Sequence, residues 1–499
     1  MGFLDGEVLS KQQKSALLEY KYRGGDNSVA YKYVLSPMAQ YLVDNFTPTW
    51  IAPNMITSIG LCFNIMSVVV TLIVDPTLTN APNWLPFLTA ACFFIYQTLD
   101  NMDGKQARKI GASSPLGLLF DHGCDALCAG MTAVSLTSVF GGGWCATSFF
   151  TIWINSFMTF YTQTWEEYYL HEMFLPMFNG ASEGLIMVVI ACCLSGVYGV
   201  QWWQTPCISL HPKLIPLFPF QLLQVQVGVL VAPSICSQIV KVLTKLYTDK
   251  VSSKAVRAAN LRQAVLGLAL IFSFLTSTFL WSFTSKSAWS VTPHQTYVFV
   301  MCVFLEMATH MMFMHVTSGT LMPQRRFLGW SCVLLPLNSF FGNYTNVYYK
   351  FMSYLSTDNI VSYFTVVNKG ATIIAGTDLS FTLTPLIDEV VLINALACIA
   401  VAVVVFKVYR MVNAMADTLN CNIFVLGKRT NLNANAAEFV PAASVAVAPK
   451  RKTAAKDNSA ETTDNKIKPS RARSKSPATS KAAASPARAR SKSRGSRSK

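Results

Sequence analysis

Four aspartates lie within 26 residues in an order that invites metal chemistry. The chain reads Asp100-Asn101-Met102-Asp103-Gly104-Lys105-Gln106-Ala107-Arg108, then eight residues, then Gly117-Leu118-Leu119-Phe120-Asp121-His122-Gly123-Cys124-Asp125. Strongly apolar runs flank the segment, which places the carboxylates at or within a membrane, where an ionisable group is expensive and reads as functional. On helices, Asp100 and Asp103 share a face at i, i+3, and Asp121 and Asp125 share one at i, i+4. Two such faces turned together put four carboxylates around one point. Without a counter-charge they repel one another and take up protons. A hard divalent cation, Mg²⁺ or Mn²⁺, removes that conflict. Packing of the aspartates as salt-bridged structure is disfavoured, because only Lys105, Arg108 and Lys109 stand near enough in sequence to pair with them.

The elements that must position these groups are helices in a bilayer. The 499 residues are 52% hydrophobic and only 13% charged, a composition outside the soluble globular range. The fold class expected is all-α, a polytopic membrane protein. About ten spans are expected, near 55–74, 84–100, 115–140, 144–163, 184–200, 216–242, 263–283, 296–318, 327–345 and 388–412. Residues 29–50 read as an amphipathic, interfacial helix. The polar, irregular stretch 346–387 reads as a loop. The polar, mixed-charge Met1–Asp26 does not read as a cleavable signal peptide, which leaves insertion to the first internal span. Four segments follow: 1–50, N-terminal and cytosolic or interfacial; 51–200, catalytic helices; 201–425, further transmembrane helices; and 429–499, a disordered basic tail.

The net charge of +15 belongs mostly to that tail. Lys450 to Lys499 holds 16 Lys or Arg and 3 Asp or Glu, leaving 24 and 22 for the other 449 residues. Ala, Ser, Pro, Lys and Arg dominate it, too little apolar matter for a core. Contact with anionic lipid headgroups is the plainest use of such a tail. No aromatic residue interleaves the basic ones, which argues against nucleic acid. Ser476-Pro477 and Ser485-Pro486 are candidate phosphorylation sites. The thirteen cysteines are scattered, with no CxxC pair and no zinc-like Cys/His spacing, and read as small buried thiols.

The 100–125 segment resembles the signature of the CDP-alcohol phosphotransferases, D-x-x-D-G-x-x-A-R, eight residues, then G-x-x-x-D-x-x-x-D. Asp100, Asp103, Gly104, Ala107, Arg108, Gly117, Asp121 and Asp125 fill every fixed position. Trp50-Ile51-Ala52-Pro53-Asn54-Met55-Ile56-Thr57, Phe120-Asp121-His122-Gly123-Cys124-Asp125 and Phe178-Asn179-Gly180-Ala181-Ser182-Glu183-Gly184 are similar to the eukaryotic choline/ethanolamine phosphotransferase branch. The likeness covers about residues 30–425. It implies transfer of a phospho-alcohol from CDP-choline or CDP-ethanolamine to diacylglycerol or an alkyl-acyl analogue, releasing CMP.

By the same resemblance, Asp100, Asp103, Asp121 and Asp125 are metal ligands for two ions. Arg108 and Lys105 would hold the diphosphate. Ala107 fills its motif position beside them, Gly104 and Gly117 allow close approach of nucleotide and backbone, and Asn54 matches a position linked to the nucleotide site. His122 is the candidate base toward the lipid hydroxyl, with Asp125 as the alternative. The resemblance also implies an endoplasmic-reticulum or Golgi membrane, a site facing the cytosol, membrane lipid as surroundings and a homodimer.

One departure stands out. The branch carries Glu after the glycine at 117, where this chain has Leu118, so a support for the histidine is missing. Glu166, Glu167 or Glu183 could substitute, or Asp125 could take the role. Glu166 and Glu167, following Trp165, otherwise read as an exposed helix end. His310 and His315, in a Met-rich apolar run, read as core or lipid-interface residues, and Trp202, Trp203, Tyr344, Tyr348 and Tyr349 as interface anchors. Leu118 keeps a catalytically weak or inactive relative in view. An ion-coupled transporter would suit many spans and intramembrane acids, but no inverted repeat is apparent.

Overall fold

Local sequence sets the helix boundaries. Ser10 and Gln13 form a reciprocal capping box that starts α1 (Lys11–Glu19). A π turn (Tyr31–Leu35) runs into α2 (Ser36–Phe46). Pro53 at the first turn opens α3 (Pro53–Val74). Next comes α4 (Trp84–Ile110), closed by Gly111 at φ 68° in the left-handed region. Ser114, whose hydroxyl accepts from the Gly117 amide, and Pro115 then start α5 (Pro115–Val139). A π turn (Ile154–Met158) joins α6 (Ala146–Trp153) to α7 (Thr159–Leu170), and another (Gly180–Gly184) leads into α8 (Leu185–Tyr198). Beyond them lie α9 (Ala232–Thr248), α10 (Lys254–Thr284), α11 (Pro293–Val316) and α12 (Glu389–Leu419). This computed structural model describes residues 8–175, 177, 179–205, 232–250, 252–285, 287–340 and 387–426.

The fold is helical, with one small departure from an all-α reading. Gly24–Asp26 (β1) and Met173–Leu175 (β2) pair in parallel and tie the N-terminal segment to the chain beyond α7. Among the described residues, five helices are long and apolar enough to cross a bilayer: α3, Gly180–Tyr198, α10, α11 and α12. Ten were expected. The expected spans 84–100 and 115–140 lie in α4 and α5, which miss that criterion because they carry the charged motif themselves. The expected span 327–345 breaks into Phe327–Ser331 and Leu334–Phe340. Most of 216–242, nearly all of 346–387 and the tail 429–499 lie outside the described residues, as do Tyr344, Tyr348 and Tyr349.

Within the bundle, α3 packs against both α4 and α5, α4 against α8, and α11 against α5, α7 and α12. An aromatic stack runs through the middle: Trp153 lies on Phe157, whose ring is stacked on Phe304 with centroids 3.8 Å apart. At Gly196 a Cβ would fall 2.5 Å from the Phe87 ring, so glycine lets α8 close on α4. Exposed Met55, Ile59, Met66, Val69 and Ile73 on α3, like Val391, Ile399 and Val405 on α12, give the apolar exterior a lipid-facing helix carries. Every cysteine among the described residues is a free thiol.

One buried carboxylate is matched by two cations. Glu306 of α11 accepts from Arg326 at 3.1 Å and from Lys407 of α12. Glu306→Gln would leave two cations facing a neutral amide, and removing one partner of such a buried cluster costs about 3–5 kcal/mol. We expect a clear drop in the unfolding temperature followed by tryptophan fluorescence in detergent; an unchanged temperature would show that the cluster does not clamp α11 to α12.

Candidate metal centre

The two motif halves meet at the turn between α4 and α5. Helix α4 continues unbroken through Gly104, so Asp100 and Asp103 stay on one face, and the short link 111–114 returns the chain with Asp121 alongside. One carboxylate oxygen each from Asp100, Asp103 and Asp121 lie within 4.8 Å of one another. Thr57 of α3 donates its hydroxyl to Oδ2 of Asp103 at 2.5 Å. Oδ1 of Asp100 and Oδ1 of Asp121 are buried without a hydrogen-bond partner. Buried, clustered and partly unpaired carboxylates call for a cation, and hard oxygen donors at this spacing fit a divalent ion. Asp125 stands beside this trio, one turn on from Asp121, and its Oδ1 accepts the buried hydroxyl of Tyr96.

The other expected site residues take distinct places. Asn54, at the start of α3, donates Nδ2 to the Ile423 carbonyl at 2.8 Å, while a Cβ at Gly117 would meet its Oδ1 at 3.6 Å and Ser114 Oγ at 3.4 Å. The segment after α12 thus reaches the mouth of the site, and Phe424 meets Phe120 edge to face with centroids 5.5 Å apart. Asn420 at φ 50° makes that turn possible. Arg108 is exposed, its guanidinium beside Gly104, where a Cβ would sit 3.5 Å from Nη1. Ala107, half-buried, precedes it. Lys105 is buried and points away toward the N-terminal helix, donating to Ser36 Oγ at 2.8 Å and lying over the Tyr31 ring.

His122 is half-buried, with Asp125 and Glu167 as electrostatic neighbours. Leu118 is explained by its surroundings. It packs with the apolar cluster of Leu9, Leu17, Leu119, Met312 and Phe313, where a carboxylate would lack a partner. Of the three glutamates that could replace the missing support, Glu166 pairs with Lys241 and Glu183 accepts the amides of Ala30 and Asn179. Glu167 is an electrostatic neighbour of His122.

Several neighbours were not legible beforehand. Glu166 and Glu167 are 4% and 2% exposed rather than at an exposed helix end, because α9 and α11 cover α7. His310 and His315 are core residues, as expected, and Trp203 is buried edge to face on Phe140. Tyr96 could have been found from its i−4 spacing to Asp100. Thr57, Tyr20 and Tyr22 gave no such signal. Tyr22 is half-exposed, but burial pushes its hydroxyl up to about 12; Glu167 and Asp121 push the same way and Arg108 opposes them, which sets Tyr22 among all three.

A family model for CDP-alcohol phosphatidyltransferase matches residues 50–206, the stretch that contains this centre. The chain is 36% identical over 282 residues to choline/ethanolaminephosphotransferase 1 of Arabidopsis thaliana, covering 54% of this chain and 69% of that protein. It belongs to the CDP-alcohol phosphatidyltransferase family. Other relatives in the family match over shorter stretches. Choline/ethanolaminephosphotransferase 2 of Arabidopsis thaliana is 40% identical over 205 residues, 41% of this chain and 51% of that protein. Choline/ethanolaminephosphotransferase 1 of Saccharomyces cerevisiae is 39% identical over 194 residues, 38% of this chain and 48% of that protein. The chain therefore spans about half the length of these two.

The unpaired carboxylates set a test of the centre. In EDTA, Asp121→Asn relieves like-charge repulsion and should unfold at a higher temperature than wild type. Added Mg²⁺ or Mn²⁺ should stabilise wild type, by about 2.7 kcal/mol at a hundred times Kd, and leave Asp121→Asn almost unmoved. Equal responses of the two proteins would exclude Asp121 as a ligand.

Proposed function

We propose that this chain transfers phosphocholine or phosphoethanolamine from the CDP-alcohol to diacylglycerol, or to an alkyl-acyl analogue, releasing CMP. The observation that carries the reading is the convergence of Asp100, Asp103 and Asp121 in a segment that matches the family signature at every fixed position. In this reading the lipid hydroxyl attacks the phosphorus that bears the alcohol, the bond to the CMP oxygen breaks, and CMP leaves. His122 takes the hydroxyl proton, with Asp125 as the alternative acceptor. Arg108 lies on the exposed side for the diphosphate, while Lys105 through Ser36 holds α2 against α4. Asn54 and Gly117 border the nucleotide.

Two Mg²⁺ or Mn²⁺ ions, held by the three clustered aspartates and Asp125, would supply charge neutralisation at the diphosphate. The protein's own contribution is to fix those carboxylates: Thr57 restrains Asp103 and Tyr96 restrains Asp125.

The wider reading is an endoplasmic-reticulum or Golgi membrane enzyme with about ten spans, its site toward the cytosol, in a homodimer, with a disordered basic tail on anionic lipid. Residues 1–50, 51–200, 201–425 and 429–499 form the interfacial, catalytic, further transmembrane and tail segments.

The test is product formation by membranes containing the full chain, given diacylglycerol with CDP-choline or with CDP-ethanolamine. Product is expected with Mg²⁺ and none with EDTA. Replacing His122 by Ala should lower kcat by about 10²–10⁴-fold if it is the base, with a smaller effect on donor KM. No product from either donor, with inserted protein and an active control, would favour the inactive-relative or transporter reading.

A further inference from the structure

Among the described residues five carboxylates are fully buried: Asp75, Asp103, Glu166, Glu167 and Glu306. Four have donors. Asp75 accepts from Ser138 and from the amides of Thr79 and Asn80. Asp103 has Thr57, Glu166 has Lys241, and Glu306 has Arg326 and Lys407. Glu167 differs. Nε2 of His315 lies 3.6 Å from its Oε1, longer than a hydrogen bond. That nitrogen is already engaged by the Tyr20 hydroxyl at 3.0 Å, while Nδ1 of His315, also buried, has no partner. A buried carboxylate without a donor is expensive unless a ligand supplies one.

Its position says which ligand. Glu167 is an electrostatic neighbour of His122, directly after Asp121, and of Tyr22, which also neighbours Asp121 and Arg108. It therefore lies next to the phosphoryl-transfer centre, on the side of the N-terminal segment. The Tyr20 ring stands edge-on to His315, 5.5 Å between centroids, and the His171 ring is stacked on His315 at 5.8 Å. In both donor substrates of the proposed reaction, the cationic nitrogen sits two carbons from the oxygen on the transferred phosphorus. A carboxylate with Tyr20 and Tyr22 as neighbours suits a small ammonium head.

We propose that Glu167 receives the cationic nitrogen of the CDP-alcohol, with Tyr20 and Tyr22 forming the aromatic side of the subsite. This deepens the functional reading above and rests on it. A primary ammonium donates hydrogen bonds to the carboxylate and offers charge. A trimethylammonium offers charge alone and leans on the rings. Glu167 accordingly weights the site toward ethanolamine, and Tyr20 and Tyr22 toward choline.

The experiment is steady-state kinetics of the purified full chain with both donors, with CMP as product inhibitor, comparing wild type, E167Q, E167D and Tyr20→Leu. CMP keeps the nucleotide and lacks the cationic head. In E167Q, KM for CDP-ethanolamine should rise about tenfold or more, as loss of a charge-assisted contact predicts. The rise for CDP-choline should be smaller, the Ki of CMP should stay within about twofold, and E167D should recover part of the loss. Tyr20→Leu should reverse the order of the two donors. Unchanged donor KM in E167Q, or donor KM and CMP Ki rising together, would overturn the proposal.

If E167Q has no turnover, ligand-induced thermal stabilisation takes its place. CDP-ethanolamine stabilising E167Q no more than CMP, where it stabilises wild type more, supports the subsite; an undiminished difference refutes it. A wild type inactive with both donors would instead refute the functional reading itself.

Discussion

Carboxylates gathered in a low-dielectric helical bundle repel one another, and the architecture around residues 100–125 is organised by that constraint. Asp100, Asp103 and Asp121 approach within 4.8 Å, close enough that only a cation or bound protons can make the arrangement stable. The backbone enforces the approach. Gly111 ends α4 in the left-handed region and Ser114 starts α5 with a side-chain cap, so a four-residue link brings two acidic helix faces together. Hydroxyls from elsewhere then hold the outer carboxylates: Thr57 on Asp103 and Tyr96 on Asp125. The arrangement gathers hard oxygen donors that could hold a divalent cation.

Holding that geometry falls to the polar half of α4. Gln97 donates to the carbonyls of Ala181 and Ser182, Gln106 to those of Pro48 and Ile51, and Lys109 to those of Val43 and Thr47. Lys105 joins the same lattice through Ser36. Residues that look from the motif like a row of substrate contacts are thus divided: Arg108 faces outward beside Gly104, and its neighbours fasten the helix. On the far side, Asp26 accepts from Ser28, Asn179 and Ser182, tying the N-terminal segment to the start of α8. The site is enclosed by parts of the chain far from the motif, including the stretch after α12 that reaches Asn54 and Phe120.

Where charges are buried outside the centre, they come with partners, and the exceptions are informative. Glu306 and Asp75 bind helices together through matched donors. Glu167, equally buried, has no such match. The same reasoning accounts for Leu118: in a pocket of Leu9, Leu17, Met312 and Phe313 an ionised side chain would be unpaired, so an aliphatic residue fits there.

The sequence by itself determined the helical membrane character, the two helix faces bearing the aspartates, and the family, because each depends on local composition and spacing: long apolar runs, the i, i+3 and i, i+4 separations of the aspartates, and eight fixed motif positions. It did not determine the number of spans, since α4 and α5 carry the charged motif and weaken the apolar signal by which spans are counted. Nor did it determine the surroundings of the site. The burial of Glu166 and Glu167, the restraint of Asp103 by Thr57, the diversion of Lys105 to Ser36 and the closeness of Tyr20 to His315 each join residues distant in the chain. Their positions follow from how whole helices pack, and a polar side chain gives no sign of its distant partner until packing supplies one.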